Sequence, residues 1–166
     1  MKKVAMVSIV LLILIFLTTC PGHSKKNQTI KEINRNCNVP FTLTQSESVL
    51  KNISGYSKNQ GFGSYSLEND DLSITVGGYP DCLDKYHIIG YQIKSYKYTF
   101  MGLQVGCSLD AVDEVMKQNG FIISNDENWR DRYKKNGVRI GISLKDNIVT
   151  IFHVSVEVTN KQNVSF

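Results

Sequence analysis

The sequence predicts an α+β fold in which two helix–strand–strand–strand halves form one antiparallel sheet with both helices on one face. In each half, apolar residues first recur at helical spacing, and later segments alternate between apolar and polar residues, which is typical of strands with one buried face. The halves cover about residues 38–100 and 101–160 of a single domain, residues 38–166. A half of about 60 residues buries too little apolar surface to be stable alone, so we expect a shared core.

Each predicted helix begins at a capping residue and ends at a glycine. Thr44 and Glu47 have the spacing of a capping box, in which two side chains bind the free backbone N–H groups of the first turn. Gly55 stands where that helix would end. In the second half, Ser108 is a candidate N-cap, and Gly120 is the corresponding stop.

Three strands are predicted after each helix. They are Ser64–Leu67, Leu72–Val76 and Tyr86–Phe100 in the first half, and Arg130–Lys134, Val138–Leu144 and Ile148–Val158 in the second. Asn136-Gly137 lies between two of them and is the strongest short signal for a hairpin, because both turn residues must tolerate positive φ. The alternation of apolar and polar residues indicates that one face of the sheet is covered and the other is solvated.

The first twenty residues have the layout of an export signal. Lys2 and Lys3 form a positive start, and Val4–Leu17 is an apolar run interrupted only by Ser8. This run of 14 residues is short for a permanent membrane span, because about 20 apolar residues cross a bilayer. We therefore predict a signal peptide over residues 1–20.

The end of this segment, Leu17-Thr18-Thr19-Cys20, resembles the lipobox of bacterial lipoproteins, with Thr19 in place of the usual Gly, Ala or Ser. The resemblance implies that Cys20 becomes the mature N-terminus and carries a diacylglycerol. The protein would then be extracytoplasmic and anchored to the bacterial cell membrane, because two acyl chains anchor a protein stably. Secretion after cleavage near this position is the alternative.

Residues 21–37 are predicted to be a polar tether that holds the domain off the membrane. Ile30 and Ile33 are the only large apolar side chains between Pro21 and Asn36. Such a composition is typical of a flexible linker, because it offers little apolar surface to bury.

Three cysteines follow Cys20, and an oxidising compartment favours a disulfide between two of them. Cys37 precedes the first predicted helix and Cys107 the second, so the two-half plan places both at the same end of the sheet. Cys82 lies in a loop at the opposite end. We predict a Cys37–Cys107 disulfide. The spacing of the cysteines and histidines matches no zinc signature, so neither a metal nor another cofactor is expected.

A tyrosine-rich stretch and the single tryptophan are candidates for a contact surface. The residues are Tyr86, Tyr91, Tyr96, Tyr98 and Trp129. Tyrosine and tryptophan combine a large rigid surface with a polar group, which suits protein contacts. The alternative is that the tyrosines fill half-buried strand positions and that Trp129 packs a loop onto the sheet.

Composition and motifs favour a binding protein over an enzyme. The chain has 19 basic and 15 acidic residues without a run of five like charges, which disfavours a nucleic-acid partner. It contains no catalytic serine elbow, phosphate-binding loop, dinucleotide fingerprint or zinc-protease motif. We therefore expect a non-enzymatic module that binds an unknown protein or an envelope component. A hydrolase is a further hypothesis, which predicts a deep cleft with convergent ionisable groups.

The segment from Gly102 to Val112 begins with Gly102, Gly106 and Ser108 at the spacing of a Gly-x-x-x-Gly-x-Ser turn. Together with the two-half plan, it resembles the helix-plus-three-strand repeat of bacterial outer-membrane assembly lipoproteins, which occurs in tandem in the beta-lactamase inhibitor protein family. The resemblance covers about residues 41–158 and implies the fold alone, because such folds do not determine function. A soluble secreted inhibitor or binding protein of the same fold is the alternative to a membrane-anchored module.

Overall fold

One eight-stranded antiparallel sheet is the main element of the described chain. The computed structural model describes residues 21–61, 63–78, 86–124 and 132–158. The strands are β1 (Ser57–Gly61), β2 (Ser64–Glu68), β3 (Leu72–Gly78), β4 (Tyr86–Ile93), β5 (Ile122–Ile123), β6 (Tyr133–Lys135), β7 (Val138–Lys145) and β8 (Ile148–Val156). Their order across the sheet is β1-β2-β3-β4-β8-β7-β6-β5, so the two halves of the chain meet where β4 pairs with β8.

Two α-helices and one short 3-10 helix accompany the sheet. α1 spans Pro21–Asn36, the 3-10 helix spans Glu47–Leu50, and α2 spans Leu109–Gln118. Buried side chains of both α-helices and of one face of the sheet, the inner face, form a single hydrophobic core. Within the described residues, neither α-helix is long and apolar enough to cross a membrane.

The prediction of an α+β fold with two helix–strand–strand–strand halves is wrong. The described residues form a mainly β structure, in which β1 and β5 are additional strands at the two edges of the sheet. The first predicted α-helix is only the four-residue 3-10 helix. Its N-cap is Ser46, which has extended backbone, whereas Thr44 has φ 67°, a conformation from which a residue does not cap a helix.

The second predicted helix and the predicted hairpin turn are confirmed. α2 begins after Ser108, whose hydroxyl accepts a hydrogen bond from the backbone N–H of Ala111 at 3.3 Å. Gly120, just beyond the end of α2, has φ 71°. Asn136 and Gly137 join β6 to β7 with φ values of 48° and 76°, as a type I′ turn requires.

Helix α1 occupies the segment for which the sequence predicts a polar tether, residues 21–37. Thr29, Ile30 and Ile33 are buried, with exposed fractions of 1%, 3% and 0%. Ile33 lies three positions after Ile30 and four positions after Thr29, so the three side chains form one stripe along the helix. Two isoleucines are thus enough to place an otherwise polar helix on the core, so the core extends back to Thr29, within the segment predicted as a tether.

Polar contacts fix α1 to both halves of the sheet. At its start, the Lys26 ammonium donates a hydrogen bond to the carbonyl oxygen of Glu157, at 2.6 Å, in the second half. Near its end, Asn34 exchanges two hydrogen bonds with the backbone of Leu43 in the first half. α1 therefore ties together two parts of the chain that are far apart in sequence.

The seam between the two halves is short and contains a glycine. β4 pairs with β8 only over Gly90–Ile93. Ahead of the seam, Ile88 bonds instead to the backbone of residues 44–45, before the 3-10 helix. At Gly90 an added Cβ would lie 2.7 Å from the carbonyl oxygen of Val154 in β8, so a glycine is needed for the two strands to approach this closely.

We expect Ile33→Ala to destabilise the domain, because it truncates a fully buried side chain of α1. The free energy of unfolding should fall by about 2–4 kcal/mol, as is typical of such substitutions in cores. Lys31→Ala, on the exposed side of the same helix, is the control and should change stability by less than about 0.5 kcal/mol. Chemical denaturation of the purified protein measures both. Equal stability of the two variants would show that α1 is not packed on the core.

Gly90→Ala should weaken the seam, because the new methyl group would overlap the carbonyl oxygen of Val154. We expect a loss of about 1–3 kcal/mol, the usual cost of overpacking. Gly78→Ala is the matched control, since Gly78 also lies in a strand and an added Cβ there has no atom within 4 Å. Thermal denaturation compares the two variants. A Gly90→Ala protein as stable as Gly78→Ala would contradict the close approach of β4 and β8.

Candidate functional site

The face of the sheet opposite the helices, which we call the outer face, carries short polar side chains at its centre. The central polar residues are Thr75, Gln92, Ser143, His153 and Ser155. Their neighbours along each strand lie in the core, so the alternation of a strand directs these five residues to the outer face. The strand register places Gln92 beside His153 across the seam. The outer face therefore combines polar groups from both halves of the chain.

A depression in the outer face lies over the seam. Its volume is about 550 Å³, and it is lined by the five central polar residues together with Ile89 and Ile151. Ligand-binding sites commonly have volumes of about 300–1,000 Å³ and combine apolar walls with a few polar groups. Because its size and lining match this description, the depression is the candidate functional site.

His153 and Ser143 form a hydrogen-bonded pair within the depression. The Ser143 hydroxyl oxygen and His153 Nε2 are 2.9 Å apart. The two residues lie on neighbouring strands, and Gly141 in β7 stands directly opposite His153 in β8. Because glycine has no side chain, the His153 ring has room to reach diagonally to Ser143.

The Ser143–His153 pair supplies a hydroxyl and an imidazole, two groups that nucleophilic catalysis uses. Acyl transfer also needs N–H donors that point at the developing oxyanion. β7 and β8 are paired from Val138 opposite Val156 to Lys145 opposite Ile148, with one register shift between Ser143 and Leu144, so apart from that bulge their backbone N–H groups lie in the plane of the sheet. The arrangement is better suited to hydrogen bonding with a ligand above the sheet than to acyl transfer.

The tyrosines predicted as contact residues do not form one surface. Tyr91 is only 3% exposed and its side chain belongs to the core. Tyr86 is 41% exposed at the start of β4, whereas Tyr96 is 78% exposed beyond the other end of that strand. Tyr98 is half-buried and packs against the core. Trp129 lies outside the described residues.

Cys37 and Cys107 are free thiols in the structure, so the predicted disulfide between them is not formed. The Cys37 thiol instead lies beside the hydroxyl of the buried Tyr91, although the two groups do not form a well-aligned hydrogen bond. Burial raises the pKa of the Cys37 thiol and that of the Cys107 thiol, which lowers their reactivity at neutral pH. Cys20 and Cys82 lie outside the described residues.

Asp113, Arg132 and Tyr133 form a cluster that joins α2 to β6. The Tyr133 hydroxyl donates a hydrogen bond to Asp113 Oδ1 at 2.6 Å, and Arg132 Nη2 donates to Asp113 Oδ2 at 3.0 Å. Burial raises the pKa of Tyr133, and its hydrogen bond to the Asp113 carboxylate raises it further. Because these groups serve one another as partners, the cluster supports the position of α2 and is not part of the candidate site.

The described residues contain no group of three or more histidine, cysteine, aspartate or glutamate side chains that could hold a metal ion. Comparison of the chain with protein-family models, with curated proteins and with solved structures finds no match. The candidate site is therefore defined by its geometry.

The sequence alone does not predict the residues of the depression. The one signal available was the position of Gln92, His153 and Ser155 between core residues of their strands. Such positions indicate a solvated face but give no information about which strands are neighbours. The two halves bring their polar groups together only because β4 pairs with β8, and that pairing leaves no local sequence pattern.

Proposed function

We propose that the protein is a membrane-anchored extracytoplasmic lipoprotein that binds another protein through its outer face and catalyses no reaction. The observation that carries this proposal is the depression over the seam, where polar groups of both halves meet. The alternative is a soluble secreted inhibitor or binding protein that uses the same face.

The size of the outer face supports a protein as the partner. Eight strands spaced about 4.8 Å apart make a sheet about 34 Å wide, and a strand of eight residues such as β4 is about 26 Å long. The resulting area is on the order of 800 Å², which is what one partner contributes to a standard protein–protein interface. A small ligand would use only the depression.

The chemistry of the outer face supports the same kind of partner. Serine, threonine and glutamine at its centre donate and accept hydrogen bonds. Charged residues of the same face are paired with each other: Lys94 pairs with Glu68, and Arg139, which stands opposite Ser155, pairs with Glu157 at 2.7 Å. Paired charges beside neutral hydrogen-bonding groups suit the polar rim of a protein interface.

Cys20→Ser should abolish the incorporation of fatty acid, because the Cys20 thiol is the proposed attachment atom. Cells that express the full chain are fed radiolabelled palmitate, and the label on the isolated protein is measured. Cys107→Ser is the matched control and should keep the label, since Cys107 lies within the domain. Label that persists in Cys20→Ser, or a wild-type protein without label, would contradict the anchor and favour the secreted alternative.

Ser155→Arg should block binding of the partner, because it places a long charged side chain in the lining of the depression. Ser48→Arg is the matched control, since Ser48 is exposed in the 3-10 helix, away from this face. Both variants and the wild type are immobilised and exposed to a solubilised envelope fraction. The partner should be retained by the wild type and by Ser48→Arg, and at least about ten-fold less by Ser155→Arg, which corresponds to about 1.4 kcal/mol.

Two outcomes of this capture experiment would contradict the proposed binding. One is that every protein retained by the wild type is retained equally by Ser155→Arg. The other is that the wild type retains no protein. A retained candidate is then purified and titrated against the three proteins, which establishes that the contact is direct.

A further inference from the structure

We infer that the folded domain lies directly against the membrane surface, with the start of α1 and the Asn136–Gly137 turn facing the lipid headgroups. The inference rests on the proposed lipid on Cys20. It assigns a lipid surface as a second partner, beside the protein that the outer face binds.

The chain between Cys20 and the folded domain is short. α1 begins at Pro21, the next residue, and Lys26 already bonds to Glu157 in the body of the domain. Six residues of α-helix span about 9 Å. A flexible tether over residues 21–37 would instead span about 23 Å on average and about 56 Å when fully extended. The helix therefore removes the freedom that a tether would give the domain.

This short reach leaves little room for water between the domain and the bilayer. A bilayer is about 40–45 Å thick and its hydrocarbon core about 30 Å, so the headgroup layer of each leaflet is about 5–7 Å thick. A diacylglycerol on Cys20 would hold that residue at the inner boundary of this layer. The first six residues of α1, which span about 9 Å, then end only about 2–4 Å beyond the headgroups. The adjoining end of the domain must therefore touch them.

The contacts of α1 identify which end of the domain this is. The Lys26 side chain runs past Gly137, where an added Cβ would lie 3.4 Å from its Cδ atom. The Asn136 amide donates a hydrogen bond to the Thr29 hydroxyl at 3.1 Å. The start of α1, the turn between β6 and β7 and the end of β8 thus lie together, and we call this end of the domain the proximal end.

β4 carries one exposed tyrosine at or beyond each of its ends. Gly90 pairs with Ser155 near the end of β8, so Tyr86, four residues earlier in β4, lies at the proximal end. Tyr96 follows the opposite end of the strand. The seven residue steps of β4 separate the two ends by about 23 Å, which is well beyond the headgroup layer.

The charge of α1 fits a surface of lipid phosphates. The helix carries four basic side chains and one acidic side chain, which are Lys25, Lys26, Lys31, Arg35 and Glu32. Lys25, Lys31 and Arg35 are exposed. Basic residues near an anionic lipid surface are attracted to it, so exposed Lys25 at the start of α1 and the short link to Cys20 act in the same direction.

A photocrosslinking amino acid at each end of the domain tests this orientation. p-Benzoylphenylalanine replaces Tyr86 in one full-length protein and Tyr96 in another, and both positions already hold an exposed aromatic side chain. Asn136 and Asn147, exposed in turns at the two ends, provide a second matched pair. The mature proteins are reconstituted in vesicles of phosphatidylethanolamine and phosphatidylglycerol and irradiated. Mass spectrometry then measures phospholipid adducts and the acylation of Cys20.

Phospholipid adducts at position 86 should exceed those at position 96 by at least about ten-fold, and position 136 should exceed 147 in the same way. If Cys20 is acylated and the two ends form adducts equally, or neither forms them, the domain does not lie against the membrane, and the lipoprotein function still stands. If Cys20 carries no acyl group in any sample, the proposed function itself fails. The two failures are therefore distinguishable.

Discussion

One contact holds α1 on the domain, the packing of Ile30 and Ile33 against the inner face of the sheet. Burial of a side chain of this size contributes about 1.5–3 kcal/mol, whereas a whole domain is stable by only about 5–15 kcal/mol. The same helix bonds to the second half through Lys26 and to the first half through Asn34. α1 therefore both completes the core and holds the two halves together.

The candidate site is a consequence of this arrangement. Because the described helices pack on the inner face, none of them lines the depression of the outer face. Its depression takes polar groups from β3 and β4 in one half and from β7 and β8 in the other. The two sets meet only across a four-residue seam, at which Gly90 allows the strands to approach. The binding surface thus exists only while the halves stay joined, so the stability of the α1 contact and the capacity to bind are physically linked.

The parts of the fold that could be predicted from the sequence have strong local signals. α2 has an N-cap at Ser108 and a continuous apolar stripe. Asn136-Gly137 is a residue pair that strongly favours a two-residue hairpin turn. α1 was missed because Ile30 and Ile33 are too few to give a helical period, and their burial is decided by the sheet. β1 was missed because an edge strand of the sequence SKNQG is exposed at every position. The depression was missed for a related reason, since it depends on which strands pair.

Hydrogen exchange of the backbone amides of α1 tests the central claim most directly. If α1 is packed on the core, the amides of residues 29–36 exchange only when the domain opens, at rates similar to those of β7 and β8. If the segment is a flexible tether, these amides exchange at the rate of an unstructured peptide while those of β7 and β8 stay protected. The second result would contradict the account of the fold and remove the reason to place the domain against the membrane.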